Sequence, residues 1–299
     1  MSAIRRLRAR SCIRRFALAA SVLGLTAATG MAQAQGNAER GRYLAKAGGC
    51  MACHTENRKD AVPFAGGRAL KTPFGTFFGP NITPDPQAGL GRWSEADFLR
   101  AMRLGERPDG ADYFPAFPYP SFTLIADGDL RDLWAYLRSL PPSKRPNQAH
   151  DLRFPYSLRV LVAGWKLQFF APGPFVGDPA RSAAVNRGAY LVRALGHCGE
   201  CHTPRNFLGG PNRDRFLGGT EKTADSEGGA PNLTPTRLKK MSDRELKYFL
   251  ETGLTPDGDE SDETMGEVVR NTTSQLTPED LAAMIAYLRT LPPLPDASK

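Results

Sequence analysis

Three things are scarce in this sequence. Alternating apolar and polar runs of the kind strands need are nearly absent, which argues against a sheet-built fold. No apolar run reaches the ~20 residues that span a bilayer, so a multispan membrane protein is excluded. Acidic residues are missing altogether from positions 1–34, where Arg5, Arg6, Arg8, Arg10, Arg14 and Arg15 precede an apolar stretch from Phe16 to Ala28 and the triplet Ala32-Gln33-Ala34. That order reads as a secretory signal peptide over residues 1–34 and predicts export to the periplasm; left uncleaved, the segment would be an N-terminal anchor. Most of the formal charge of +8 sits in this leader: without its six arginines, 33 basic residues face 31 acidic ones, a net of +2. A nucleic-acid partner thereby loses its electrostatic basis. The full sequence is 23% charged and 41% hydrophobic, ordinary for a globular chain and too apolar for wholesale disorder. Its length suits two modest domains.

Of five cysteines, Cys12 belongs to the leader. The other four form Cys50-Met51-Ala52-Cys53-His54 and Cys198-Gly199-Glu200-Cys201-His202. Two disulfides, a thioredoxin-like dithiol or a four-cysteine zinc site could use four cysteines. None of these explains a histidine directly after each second cysteine, whereas C-x-x-C-H is the attachment pattern of c-type haem. Two thiols one helical turn apart can add to the two vinyl groups of one porphyrin, and the next residue offers a ring nitrogen to the iron. The pattern predicts two covalently bound haem c groups, held by Cys50, Cys53, Cys198 and Cys201, with His54 and His202 as iron ligands.

The motifs lie 148 residues apart, and their surroundings repeat near that offset. Arg40-Gly41-Arg42-Tyr43-Leu44 returns as Arg187-Gly188-Ala189-Tyr190-Leu191, and Pro80-Asn81-Ile82-Thr83-Pro84 as Pro231-Asn232-Leu233-Thr234-Pro235. Ala135-Tyr136-Leu137-Arg138 returns as Ala286-Tyr287-Leu288-Arg289. This is an internal duplication. Ser94 and Ser242 are helix caps with acids in the first turn, Thr277-Pro278 starts another helix, and Leu130, Leu133, Trp134 and Leu137 form one face of a helix stopped by Pro141-Pro142. The expected fold is all-α: two tandem cytochrome c domains at 35–142 and 181–299, in which each porphyrin supplies core that ~100 residues lack. The apolar linker at 143–180, which runs through Val160-Leu161-Val162-Ala163-Gly164-Trp165, is either a helix buried in a groove between the domains or an exposed docking patch.

Across nearly all of residues 35–299 the chain resembles the dihaem and multihaem cytochrome c subunits of bacterial membrane-associated alcohol, aldehyde and sugar-acid dehydrogenases. The resemblance rests on Asn81-Ile82-Thr83-Pro84-Asp85 with Gly91-Arg92-Trp93-Ser94, on His197-Cys198-Gly199-Glu200-Cys201-His202-Thr203-Pro204-Arg205-Asn206, and on Met265-Gly266-Glu267-Val268-Val269. It implies electron transfer from a dehydrogenase donor to a cytochrome or oxidase acceptor, with peripheral membrane association through a partner subunit. It also implies that the Pro80 and Pro231 carbonyls orient the iron-binding histidines. In such cytochromes a methionine on the loop before the last helix is the sixth ligand. Here that is Met265, 63 residues after His202, whereas Met284 suits the core of the last helix. The same spacing from His54 reaches Phe117, which cannot bind iron. The first haem is then five-coordinate or water-bound, or takes another side chain such as Met102, or a ligand from a partner. An open first haem beside a closed second one is also the logic of a dihaem peroxidase or a sulfur-compound dehydrogenase, with Asp109, Asp112 or Tyr119 as the candidate acid or base.

Overall fold

The structure is a computed structural model that describes residues 36–221 and 229–297; the leader at 1–34 lies outside the described residues. Helix is the dominant regular structure among the described residues, which fall into two similar halves. The first half holds α1 (Ala38–Ala47), α2 (Cys50–His54), the hairpin β1 (Ala69–Thr72) and β2 (Gly75–Phe78), α3 (Glu95–Leu104), α4 (Tyr119–Phe122) and α5 (Asp127–Ser139). The linker contributes β3 (Asp151–Leu152) and α6 (Val160–Phe169). The second half holds α7 (Ala183–Tyr190), α8 (Gly199–His202), α9 (Pro235–Leu238), α10 (Asp243–Thr252), α11 (Glu263–Asn271) and α12 (Pro278–Arg289).

Several of the longer helices start where side-chain oxygens can satisfy free backbone N–H groups. Ser94 and Asp97 form a capping box at α3, Ser242 and Glu245 form one at α10, and Thr277 accepts from the Asp280 N–H ahead of Pro278 at α12. The apolar faces of α5 and α12 then make the core, with Leu130, Leu133 and Leu137 buried in one and Leu281, Met284, Ile285 and Leu288 in the other. In each half the first helix lies across the last at a glycine. A Cβ on Gly41 would stand 1.9 Å from the Asp132 carbonyl oxygen, and one on Gly188 would stand 1.8 Å from that of Ala283. Only hydrogen fits at either crossing.

The repeated Asn-x-Thr segments are anchors. Asn81 donates through its amide to the Ser143 carbonyl at 2.7 Å, and Thr83 Oγ1 accepts from the Ser143 N–H at 3.0 Å. Asn232 and Thr234 hold Leu294 in the same way, at 2.8 and 3.1 Å. All four side chains are buried. Each pair ties the chain that leaves the last helix to the loop that carries Pro80 or Pro231.

Two features depart from the sequence expectation, and a third bears on the two alternatives it left open for the linker. The all-α reading missed a three-stranded antiparallel sheet in the order β1-β2-β3, in which Thr72 pairs with Gly75 across a two-residue turn and the linker supplies the third strand. Its strands span four, four and two residues, too short for a period of two to register. The helix entering the second haem motif ends in a π-helical turn, Leu191–Leu195, that its counterpart lacks. Finally, α6 is not buried in a groove. Val162 faces inward, but Val160, Leu161 and Leu167 are exposed, Leu167 at 91%.

Candidate haem centres

Both attachment cysteine pairs sit on a single helical turn. Cys50 and Cys53 lie in α2, and Cys198 caps α8, which carries Cys201. None of the four is paired with another cysteine in a disulfide. Burial pushes the Cys50 and Cys198 thiols up to about 12 and Cys53 to about 11, and raises Cys201, so each is held neutral. The histidines that follow are fixed through one nitrogen. His54 Nδ1 donates to the Pro80 carbonyl at 2.8 Å, and His202 Nδ1 to that of Pro231 at 2.7 Å. Burial lowers both imidazole pKa values against the opposing effect of these hydrogen bonds, so each ring is neutral with its Nε2 lone pair free. A neutral, oriented imidazole beside two reduced thiols is what haem attachment requires, and the residues fit the group twice. Two buried donors also lack a protein partner among the described residues, the Tyr119 hydroxyl of the first half and the Trp165 indole N–H of the linker, which suits a bound group bearing acceptors.

The distal residues differ between the halves. Met265 lies in the first turn of α11 rather than on a loop, with its backbone N–H held by Asp262 Oδ1 at 2.8 Å and its side chain half-buried against the core. An acidic, loop-like sequence, Asp257–Glu267, concealed this helix. Phe117 packs its ring on Tyr113, Phe122 and Tyr119, at centroid separations of 5.4, 5.8 and 6.2 Å. Met102 is buried in α3 within the same core. None of the candidate acids or bases near Phe117 is poised to transfer a proton. Asp109 is paired with Arg107 at 2.8 Å, Asp112 is bound by Lys166, and burial drives the Tyr119 phenol well above its ordinary pKa.

The halves interlock through their haem-binding parts. Ser121, just beyond Phe117, donates to Glu200 Oε1 inside the second attachment motif at 2.6 Å. Glu267, just beyond Met265, pairs with Arg68 of the first half at 2.6 Å and its charge acts on the Cys53 thiol. Sequence reasoning missed a reciprocal clasp. Tyr43 OH donates to Asp280 Oδ2 and accepts from the Thr277 N–H, while Tyr190 OH donates to Asp129 Oδ2 and accepts from the Ala126 N–H. Arg187 and Arg40 complete the two carboxylates from within their own halves. The repeated Arg-Gly-x-Tyr segments were its visible signal.

This is the arrangement of a two-unit c-type cytochrome. The chain belongs to the cytochrome c family, whose pattern matches residues 38–141 and again 185–292. A "Diheme cytochrome c-type" of Cereibacter sphaeroides is 44% identical over 261 residues, covering 86% of each chain. The "Fructose dehydrogenase cytochrome subunit" of Gluconobacter japonicus is 37% identical over 85% of this chain and 52% of its own length. The "Gluconate 2-dehydrogenase cytochrome c subunit" of Pantoea cypripedii is 36% identical over 91% of this chain and 64% of its own. The chain therefore matches one relative over most of its length and spans between half and two thirds of the two dehydrogenase subunits. These relatives are thus named as a two-haem c-type cytochrome and as cytochrome subunits of two dehydrogenases.

Proposed function

We propose that this protein is a periplasmic two-haem electron carrier that receives electrons from a dehydrogenase and delivers them to a cytochrome or oxidase of the respiratory chain. Its domains are 35–142 and 181–299, left after removal of a signal peptide at 1–34. Cys50 and Cys53 hold one haem and Cys198 and Cys201 the other, each pair through thioethers. His54 and His202 bind the irons through Nε2, oriented by the Pro80 and Pro231 carbonyls. Met265 is the sixth ligand of the second haem, and Phe117 leaves the first without a thioether from the equivalent position. Bound haem supplies a one-electron iron couple; the protein supplies its orientation, its potential and its protection from water.

The observation that carries this reading is the interlock: the segment beyond each distal residue reaches the attachment region of the other half, through Ser121–Glu200 and Arg68–Glu267. Such a contact suits passage of electrons between the two sites. The competing reading as a peroxidase or sulfur-compound dehydrogenase lacks a free acid or base beside Phe117. Mixing the reduced two-haem protein with hydrogen peroxide or thiosulfate decides between them. A carrier exchanges electrons only stoichiometrically, whereas sustained turnover of either compound would show an enzyme.

A further inference from the structure

Helix α6 arranges its side chains against the order that burial of apolar surface alone would choose. Leu167 stands 91% exposed and Val160 77%, while Val162, Trp165 and Phe169, at i, i+3 and i+7, turn inward. Trp165 carries a buried indole N–H with it, and that donor has no partner among the described residues. A second such donor lies beside it. The Tyr119 hydroxyl is also buried and unpartnered, and the two rings meet edge-on with centroids 6.5 Å apart. A buried donor left unsatisfied costs about 1–3 kcal/mol, so two in one cluster call for an acceptor.

Tyr119 cannot swing away to find one. Its ring is clamped by Phe170, edge-on at 5.0 Å, and by Gly105, where a Cβ would stand 2.5 Å from it. The charged groups that face it are already engaged. Lys166, 5.7 Å from the ring, is held by Asp112 and, at 3.9 Å, by Glu106, while Glu200 accepts from Ser121 and pairs with Arg205. A bridging water would need about three polar partners, and these neighbours have theirs. The duplicate of Tyr119 is Glu267, an acceptor rather than a donor, and Arg68 pairs with it. The donor pair therefore belongs to the first half alone, where Tyr119 follows Phe117 by two residues. A haem brings two carboxylates, and a carboxylate taken out of water needs hydrogen-bond donors.

Resting on the two-haem reading above, we propose that Tyr119 and Trp165 are positioning residues that donate their O–H and N–H to the propionate carboxylates of the first haem, tying the linker helix α6 to that haem. The second haem has no counterpart of either donor.

The test uses the exported protein with both haems attached, confirmed by intact mass. The potential of each haem is titrated at a series of pH values in wild type, Tyr119→Phe, Trp165→Phe and Phe169→Leu. Loss of a donor disfavours the ionised carboxylate. The inflection in the first haem's potential is therefore expected to move up by about one to two pH units in each donor variant, the equivalent of one hydrogen bond to a charged group. Asp112, Glu106 and Glu200 keep their partners in every variant, so the movement reads the haem carboxylate. Phe169→Leu disturbs the packing of Trp165 without removing a donor, and it is expected to leave the inflection in place. An unaltered pH profile in both donor variants, a change confined to the second haem, or an equal change in Phe169→Leu overturns the proposal. Should Trp165→Phe fail to mature, Tyr119→Phe, which keeps the ring, decides by the same criterion. Recovery of a single haem per chain would instead defeat the two-haem reading.

Discussion

The Tyr43 hydroxyl lies 2.5 Å from Asp280 Oδ2, and Tyr190 makes the mirror contact with Asp129 Oδ2 at 2.7 Å. Each tyrosine comes from the first helix of one half and each aspartate from the last helix of the other. Because each hydroxyl also accepts from the backbone at the start of that last helix, the clasp fixes both helix ends at once. Removing a hydroxyl from a carboxylate held in this way costs about 1.5–3 kcal/mol. Tyr43→Phe and Tyr190→Phe are expected to fall in that range, nearer its upper end for the more buried Tyr190. Urea unfolding of the two variants with haem attached checks this. Because Arg187 binds Asp280 and also lies over the Tyr190 ring, the two clasps share a partner, and a double variant is expected to depart from simple additivity.

The same clasp predicts a limit on acid stability. Burial disfavours a charged Asp280, but the hydrogen bonds from Arg187 and Tyr43 outweigh it and hold the carboxyl below its ordinary pKa. A depressed folded-state value means that the stabilisation is complete above the unfolded-state pKa of about 4 and is lost as the pH falls through the folded one. The pH dependence of stability below about 4 is therefore expected to flatten in Asp280→Asn relative to wild type. An unaltered slope would mean that the carboxylate is not favoured on folding.

Gly41 and Gly188 permit the two helix crossings. Gly41→Ala and Gly188→Ala would each press a methyl into a backbone carbonyl, and each is expected to lose about 1–3 kcal/mol despite the better helix propensity of alanine. Thermal unfolding measures the loss. A gain in stability would show that the helices can part without penalty.

Much of this was legible in the sequence. The haem motifs, the caps at Ser94, Ser242 and Thr277 and the buried face of α5 follow from local chemistry and helical spacing, and the duplication marked corresponding positions. What escaped were features set by distant residues. The hairpin at Ala69–Phe78 gains its third strand from the linker, α11 begins in a polar segment because Asp262 caps it, and the clasps join residues more than sixty positions apart. The single-residue departure at Phe117 was visible, but only by reading one copy against the other.

That departure yields a paired prediction. Met265→Ala is expected to convert the second haem to high spin and lower its potential on the order of 0.1 V, within the ~0.8 V range that axial ligands command. Phe117→Met should do the reverse at the first haem, since the two side chains are close in volume and a thioether can replace a ring at small packing cost. Redox titration and low-temperature paramagnetic resonance of both variants read these shifts. If wild-type protein is already low-spin at both irons and does not bind carbon monoxide, another side chain, with Met102 the first to test, occupies the first site.

The proposed function depends above all on each half of this chain holding its own covalently bound haem. Intact mass spectrometry of the exported protein, made with the haem-attachment machinery and treated with acidified acetone, tests it most directly. The expected result is the mass of the processed chain plus two haems, unchanged by the extraction. A mass with one haem, or haem released into the solvent, would contradict it.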